Sequence, residues 1–275
     1  MAFLKNKIPI LLLVAYLFFF YIMYFSSDWI NVAGDETGIK IDQITAMEPQ
    51  SSNAGIAMTF DDTYIDQWYT IRDILKKYNA HATFFVSNYY SLSPEQITKL
   101  KTLETDGNEI AFHGYEHVNS VEYLHNYTFD DYMNNEIKKG VDLMKKDGFH
   151  PVDFSYPFGY YDPNTTQSFQ KYFLHVRVTS STWDDPLMYY QYGSNRTLIS
   201  GIGIDDVTYS QSVDINNIYA GISTAKKENK ILILYGHNTV ANASSLYETS
   251  YDRLEKILKY AAEKDMKTFT ISEIH

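Results

Sequence analysis

GIAMTFDDTYIDQWYTIRDILKKYNAHATFFV, residues 55–86, holds the pattern that decides the fold. Its first apolar run, Ile56–Phe60, is too short for a helix and ends in Asp61-Asp62. From Ile65 to Tyr78 the spacing turns helical, with Ile65, Trp68, Tyr69, Ile71, Ile74 and Leu75 on one stripe. Ala82–Val86 (ATFFV) then reads as a buried strand. A strand, a helix and a strand in succession form a parallel pair, because parallel strands need a long crossover between them.

The alternation continues to the end of the chain. Helices are expected at Pro94 to Leu103 with Ser93 as cap, Thr128 to Lys146, Pro163–Tyr172, Val213–Lys227 and Ser250–Lys264. Strands are expected at Glu109–Phe112, Asp153–Tyr156, His175–Thr179, Arg196–Ile204, Ile231–Tyr235 and Lys267–Ser272. The pattern implies an α/β fold of parallel strands covered by helices, either a barrel or an open sheet. In both, ligands gather at the carboxyl ends of the strands. Those exits carry Asp61-Asp62, His113, Pro157-Phe158-Gly159 and Gly236-His237.

Ahead of this domain, Ile8 to Phe25 runs eighteen positions without a charge, preceded by Lys5 and Lys7. About 18–20 apolar residues span a bilayer as a helix, while a cleavable signal core is shorter, about 7–15. The expectation is a transmembrane anchor at residues 8–25, a cytoplasmic tail at 1–7 and everything after residue 25 outside the cell, at the membrane. Secretion after signal cleavage is the alternative. Residues 26–54 are polar and without sustained period, a stalk or lead-in to a catalytic domain at 55–275.

Of the 275 residues, 45% are hydrophobic and 21% charged, which excludes a disordered chain and a polytopic membrane protein. A net charge of −11 argues against nucleic acid as a partner. Cysteine is absent, so a transition-metal site must use His and carboxylates. The 25 tyrosines suit carbohydrate contacts, and equally a wet β-rich surface. Four Asn-x-Ser/Thr sequons, at Asn126, Asn164, Asn195 and Asn242, are compatible with export.

His113-Gly-Tyr-Glu-His117 sets two imidazoles four apart, and Asp62 adds a carboxylate. Two nitrogens and one oxygen form an open site suited to zinc, with cobalt, nickel or manganese also compatible. Asp61 beside it is free to accept a proton from water, although Asp61-Asp62 also fits a helix cap and a first-turn acid. His237, leaving a buried strand through Gly236, is placed to protonate a leaving group.

In order along the chain, Thr59-Phe60-Asp61-Asp62, His113-x-x-x-His117, Tyr156-Pro157-Phe158-Gly159 and Leu234-x-x-His237 resemble the motifs of the polysaccharide deacetylases, carbohydrate esterase family 4. The resemblance implies a distorted (β/α) barrel of seven strands and a divalent metal, usually zinc. It also implies removal of N-acetyl groups from an amino-sugar polysaccharide. Carried over, Asp61 is the catalytic base, Asp62, His113 and His117 the metal ligands, and His237 the catalytic acid. The Phe158 N–H helps to stabilise the oxyanion.

Three positions depart from the family's pattern. Gly114 replaces a Ser or Thr whose hydroxyl braces the loop, and Ser155 stands where an Arg usually pairs with the base. Asn238 follows the acid His in place of an Asp. Trp183, with Asp184 and Asp185, is a loose counterpart of the tryptophan motif that walls the acid. Two other functions suit the same fold: a non-catalytic glycan-binding or assembly protein, and an amidase acting on a different C–N bond.

Overall fold

The computed structural model describes residues 52–207 and 213–275. The expected anchor at 8–25, the tail before it and most of the lead-in lie outside the described residues. Among the described residues, no helix is long and apolar enough to cross a membrane.

In chain order the strands are β1 (Gly55–Asp62), β2 (Thr83–Val86), β3 (Glu109–Phe112), β4 (Phe154–Ser155), β5 (Val176–Ser180) and β6 (Tyr189–Tyr190). They continue with β7 (Leu198–Gly203), β8 (Ile231–Gly236), β9 (Asn238–Val240), β10 (Glu248–Ser250) and β11 (Lys267–Phe269). Seven of them pair in parallel in the order β1-β2-β3-β4-β5-β7-β8, and β8 returns to β1 over Gly55–Phe60. The barrel is closed. Its distortion lies at the lower rim, where two short strands intrude. β11 takes the first residues of β1 (Gly55–Ala57) while β2 takes Thr59–Asp62, and β6 pairs antiparallel with the start of β8.

Strand alternation divides the apolar residues into two cores. Ile56, Met58, Phe60, Phe84, Phe112, Phe154, Val176 and Leu234 face outward and pack under the helices. Ala57, Phe85, Ala111, Ile199, Ile231 and Ile233 fill the interior, with Phe269, Ile271 and Ile274 in the same cluster. The inward face then runs upward by twos. It leads from Ala57 to Thr59 and Asp61, from Ala111 to His113, and from Ile233 to Tyr235 and His237. Polar side chains thus follow apolar ones on the same face because the strands end there.

Several features were absent from the sequence expectation. The helix foreseen at Ile65 to Tyr78 is two, Ile65–Thr70 and Arg72–Lys77, with the chain tightening at Ile71. Trp68, Ile71 and Leu75 are buried on both sides of that break. β6, β9 and β10 were also unforeseen, since two or three residues show no period.

Candidate active site

The upper mouth of the barrel opens into a cleft of about 1160 Å³ lined by Asp61, Asp62, His113, His117, Phe158, Asp205 and His237, among others. Asp61 and Asp62 are neighbours, yet both reach the same site. Asp61 keeps strand geometry and points into the barrel, while Asp62 turns left-handed at φ 84°, which redirects its carboxylate. His117 (φ 56°) and Phe158 (φ 61°) adopt the same uncommon conformation. Non-glycine residues held in this region gather at functional sites, where the surroundings offset the strain.

Asp62, His113 and His117 meet. The Asp62 Oδ1 atom lies 3.2 Å from His117 Nε2 and 3.7 Å from His113 Nε2, and the two imidazole nitrogens are 3.2 Å apart. Four donors about 2.0–2.1 Å from a zinc ion stand roughly 3.3–3.4 Å from one another at tetrahedral angles. The triangle of head groups therefore fits one small divalent cation and leaves its open side toward the cleft. His113 Nδ1 lies 2.8 Å from the Ser155 carbonyl, which only a donating Nδ1–H can satisfy. The Nε2 lone pair is thereby turned to the site, as a metal ligand requires. Burial drives the His113 pKa down to about 4, so the ring is neutral near pH 7. Burial acts to raise Asp62, but the His117 hydrogen bond and the neighbouring imidazoles hold it at about 2.

Asp61 is almost fully buried, and its Oδ2 accepts from Arg177 Nη2. The same nitrogen donates to Ser155 Oγ. Ser155 on β4 lies directly opposite Arg177 on β5 in the sheet register. The cation that the family's pattern puts at position 155 is supplied here by the next strand, so Asp61 is paired despite Ser155. The guanidinium is sandwiched between the Phe85 and Tyr235 rings, 5.3 and 5.0 Å from their centroids. Gly201 makes the space: a Cβ there would come within 3.3 Å of Arg177 Cδ. Asp61 Oδ1 is buried and has no hydrogen-bond partner among the described residues, so its lone pairs are not engaged by the protein.

Across the cleft, His237 Nδ1 lies 2.6 Å from Asp205 Oδ2. Asp205 Oδ1 also accepts from the His237 N–H and the Thr249 hydroxyl. Burial disfavours the His237 imidazolium, but the hydrogen bond and charge of Asp205 outweigh it and raise the pKa. Asp205, at the end of β7, therefore does what Asn238 cannot. Trp68 Nε1 holds the His237 carbonyl at 2.9 Å. Trp183 lines the same cleft.

Phe158 is 59% exposed, with its ring 4.6 Å from that of His117. Gly159 follows at φ 71°, where a Cβ would lie 2.0 Å from Thr179 Oγ1, so only glycine fits this turn.

Arg177 and Asp205 escaped the sequence reading. Their signals were present: Arg177 is a lone charge in an apolar strand (Val176-Arg177-Val178), and Asp205-Asp206 leaves β7 much as Asp61-Asp62 leaves β1.

The family model for polysaccharide deacetylase matches residues 49–176. No curated protein matches the chain. Among solved structures, the fold is similar to that of a putative polysaccharide deacetylase from Mycobacterium smegmatis, at 16% identity, TM-score 0.59, covering 82% of this chain and 90% of that one. It is similar to the catalytic domain of a peptidoglycan N-acetylglucosamine deacetylase from Eubacterium rectale, at 16% identity, TM-score 0.51, covering 81% and 90%. A pseudoenzyme of carbohydrate esterase family 4 from Bacillus anthracis also matches, at 15% identity, TM-score 0.53, covering 82% and 66%. At these identities the structural matches establish the fold.

Proposed function

Residues 49–176 of this chain belong to the polysaccharide deacetylase family, and from that premise we propose that the protein is a metal-dependent hydrolase removing N-acetyl groups from an N-acetylhexosamine polysaccharide. We further propose that it acts outside the cell, with the apolar segment at residues 8–25 as a membrane anchor. The observation that carries this reading is the triangle of Asp62, His113 and His117 beside the Arg177-paired Asp61, in a cleft that also holds His237.

Asp62, His113 and His117 would hold a divalent cation, zinc by the nitrogen-rich donor set, which would polarise the amide carbonyl and favour ionisation of water. Asp61 accepts a proton from the attacking water as the new C–O bond forms, while Arg177 fixes which oxygen is left to do so. The Phe158 N–H is the dipole offered to the negative charge that builds on the carbonyl oxygen. His237 gives a proton to the nitrogen as the C–N bond breaks, and acetate and a free amine depart. The hydrogen bond and charge of Asp205 favour the protonated imidazole.

The test is acetate release from an N-acetylglucosamine polymer. A chelator should abolish it, and zinc or cobalt should restore it. Asp61→Asn should lower the rate about 10²–10⁴-fold. Full activity in Asp61→Asn would contradict the base assignment. The pseudoenzyme on this fold gives the second reading its footing, and glycan binding with no acetate release under any metal would favour it.

A further inference from the structure

The loop between the two histidines is held from beneath by a buried carboxylate. Helix 129–146 contains a π-helical turn, Met133–Lys138, and Glu136 in that turn is only 3% exposed. Its Oε2 and Oε1 accept the Glu116 N–H at 3.0 and 3.3 Å, and the nearby Tyr115 N–H also favours the ionised carboxylate. These amides belong to the three residues that separate His113 from His117.

Everything nearby is shaped to admit this contact. Gly114 sits at φ 94°, and a Cβ there would lie 3.5 Å from Glu136 Oε2 and 3.2 Å from Pro157. One turn on from Glu136, Gly140 lets the helix close on the loop, since a Cβ would strike the Phe112 ring at 2.5 Å. Lys139 lies 4.0 Å over the Tyr115 ring. On the opposite side Asn88, itself left-handed, donates its N–H to the Gly114 carbonyl at 3.3 Å. The loop's carbonyls and amides are thus gripped from two sides. π-Helical turns are rare and recur at functional sites, where the extra residue re-aims a side chain. Burying a carboxylate is costly unless its hydrogen bonds repay it. That cost is hard to explain by packing alone, because an apolar residue would fill the space more cheaply.

We propose that Glu136 is a positioning residue that fixes the His113–His117 loop, and through it the separation of the two imidazoles, for metal capture. It takes over the bracing that a hydroxyl at position 114 would give. This rests on the metal reading above, and the test separates the two.

Full-length wild type, Glu136→Met and Glu136→Gln are titrated with zinc in calorimetry. Amide hydrogen exchange of residues 114–117 is measured in the metal-free proteins. Glu136→Met, which fills the site without an acceptor, should weaken zinc binding about 10–100-fold and speed loop exchange at least tenfold. Glu136→Gln, which keeps one acceptor, should fall between it and wild type. A merely structural role would lower the melting temperature of Glu136→Met while leaving zinc affinity and loop exchange as in wild type, and that result overturns the proposal. If Glu136→Met does not fold, Glu136→Gln decides on the same two readouts. If wild type binds no zinc, the metal reading fails. Loop exchange then decides the brace by itself: faster in Glu136→Met supports it, equal rates overturn it.

Discussion

The same strands carry a polar cluster at each end of the barrel, and the two behave in opposite ways. β3 begins with Glu109 and leads out to His113, Asp153 precedes β4 and Ser155 ends it, and His175 precedes β5 with Arg177 second within it. At the mouth, unlike charges are matched, Asp61 with Arg177 and His237 with Asp205, and the cluster opens to the cleft. At the floor, two acids share one sealed space. Glu109 accepts from the Thr83 hydroxyl at 2.9 Å and the Ser272 N–H at 3.0 Å, and Asp153 accepts from the His175 N–H at 2.8 Å. Burial pushes Glu109 well up and Asp153 to about 6, and pulls His175 down to about 4. Residue type alone therefore does not mark a site. Access and charge pairing do, and in a parallel barrel these favour the carboxyl ends of the strands.

The sharpest way to break this contrast is at Arg177. Arg177→Ser leaves a buried carboxylate unpaired, so stability should fall about 3–5 kcal/mol. Acetate release should fall by about 100-fold or more, if Asp61 is the base. Adding Ser155→Arg to that variant puts the guanidinium on the register partner, and should bring activity back to within about tenfold of wild type. Denaturant melts and steady-state rates check both. No recovery in the double variant would mean that the strand of origin matters.

A smaller effect is expected across the cleft. Asp205→Asn removes the charge that raises His237, so the imidazole loses its proton at lower pH. A catalytic acid works only while protonated, so the alkaline limb of the kcat/KM profile should move to lower pH, with about a tenfold loss at pH 8. An unmoved limb would remove His237 from the acid role.

The smallest functional effect belongs to the floor. The Asp153 pKa is raised in the fold from its ordinary 3.8 to about 6, so its contribution is fully present below 3.8 and is lost as pH climbs through 6. The change amounts to about 3 kcal/mol, and Asp153→Asn does not suffer it. The stability of Asp153→Asn relative to wild type should therefore grow between pH 4 and 6, with acetate release unchanged at every pH. A loss of activity would erase the distinction between the two ends.

Much of the mouth was legible in the sequence because its residues sit in motifs that end strands. Asp61, Asp62, His113, His117, Phe158 and His237 are adjacent in the chain to the turns that deliver them. The partners of Arg177, Asp205 and Glu136 were not legible, because each acts across an element boundary. Arg177 serves Asp61 only when β5 and β1 face each other inside a closed barrel, and Glu136 serves the loop only because a π turn aims it there. The antiparallel pairing of β6 was hidden for the same reason, since a pair of strand residues has no period of its own, whereas β11 was foreseen as a strand but not its place beside the start of β1.

Zinc titration of the full chain against its Asp62→Ala/His117→Ala variant tests the central claim most directly. Convergence of Asp62, His113 and His117 predicts one tightly bound ion per wild-type chain and none in the variant, with both folded by circular dichroism. Equal binding by the two proteins, or no uptake by wild type, would contradict it.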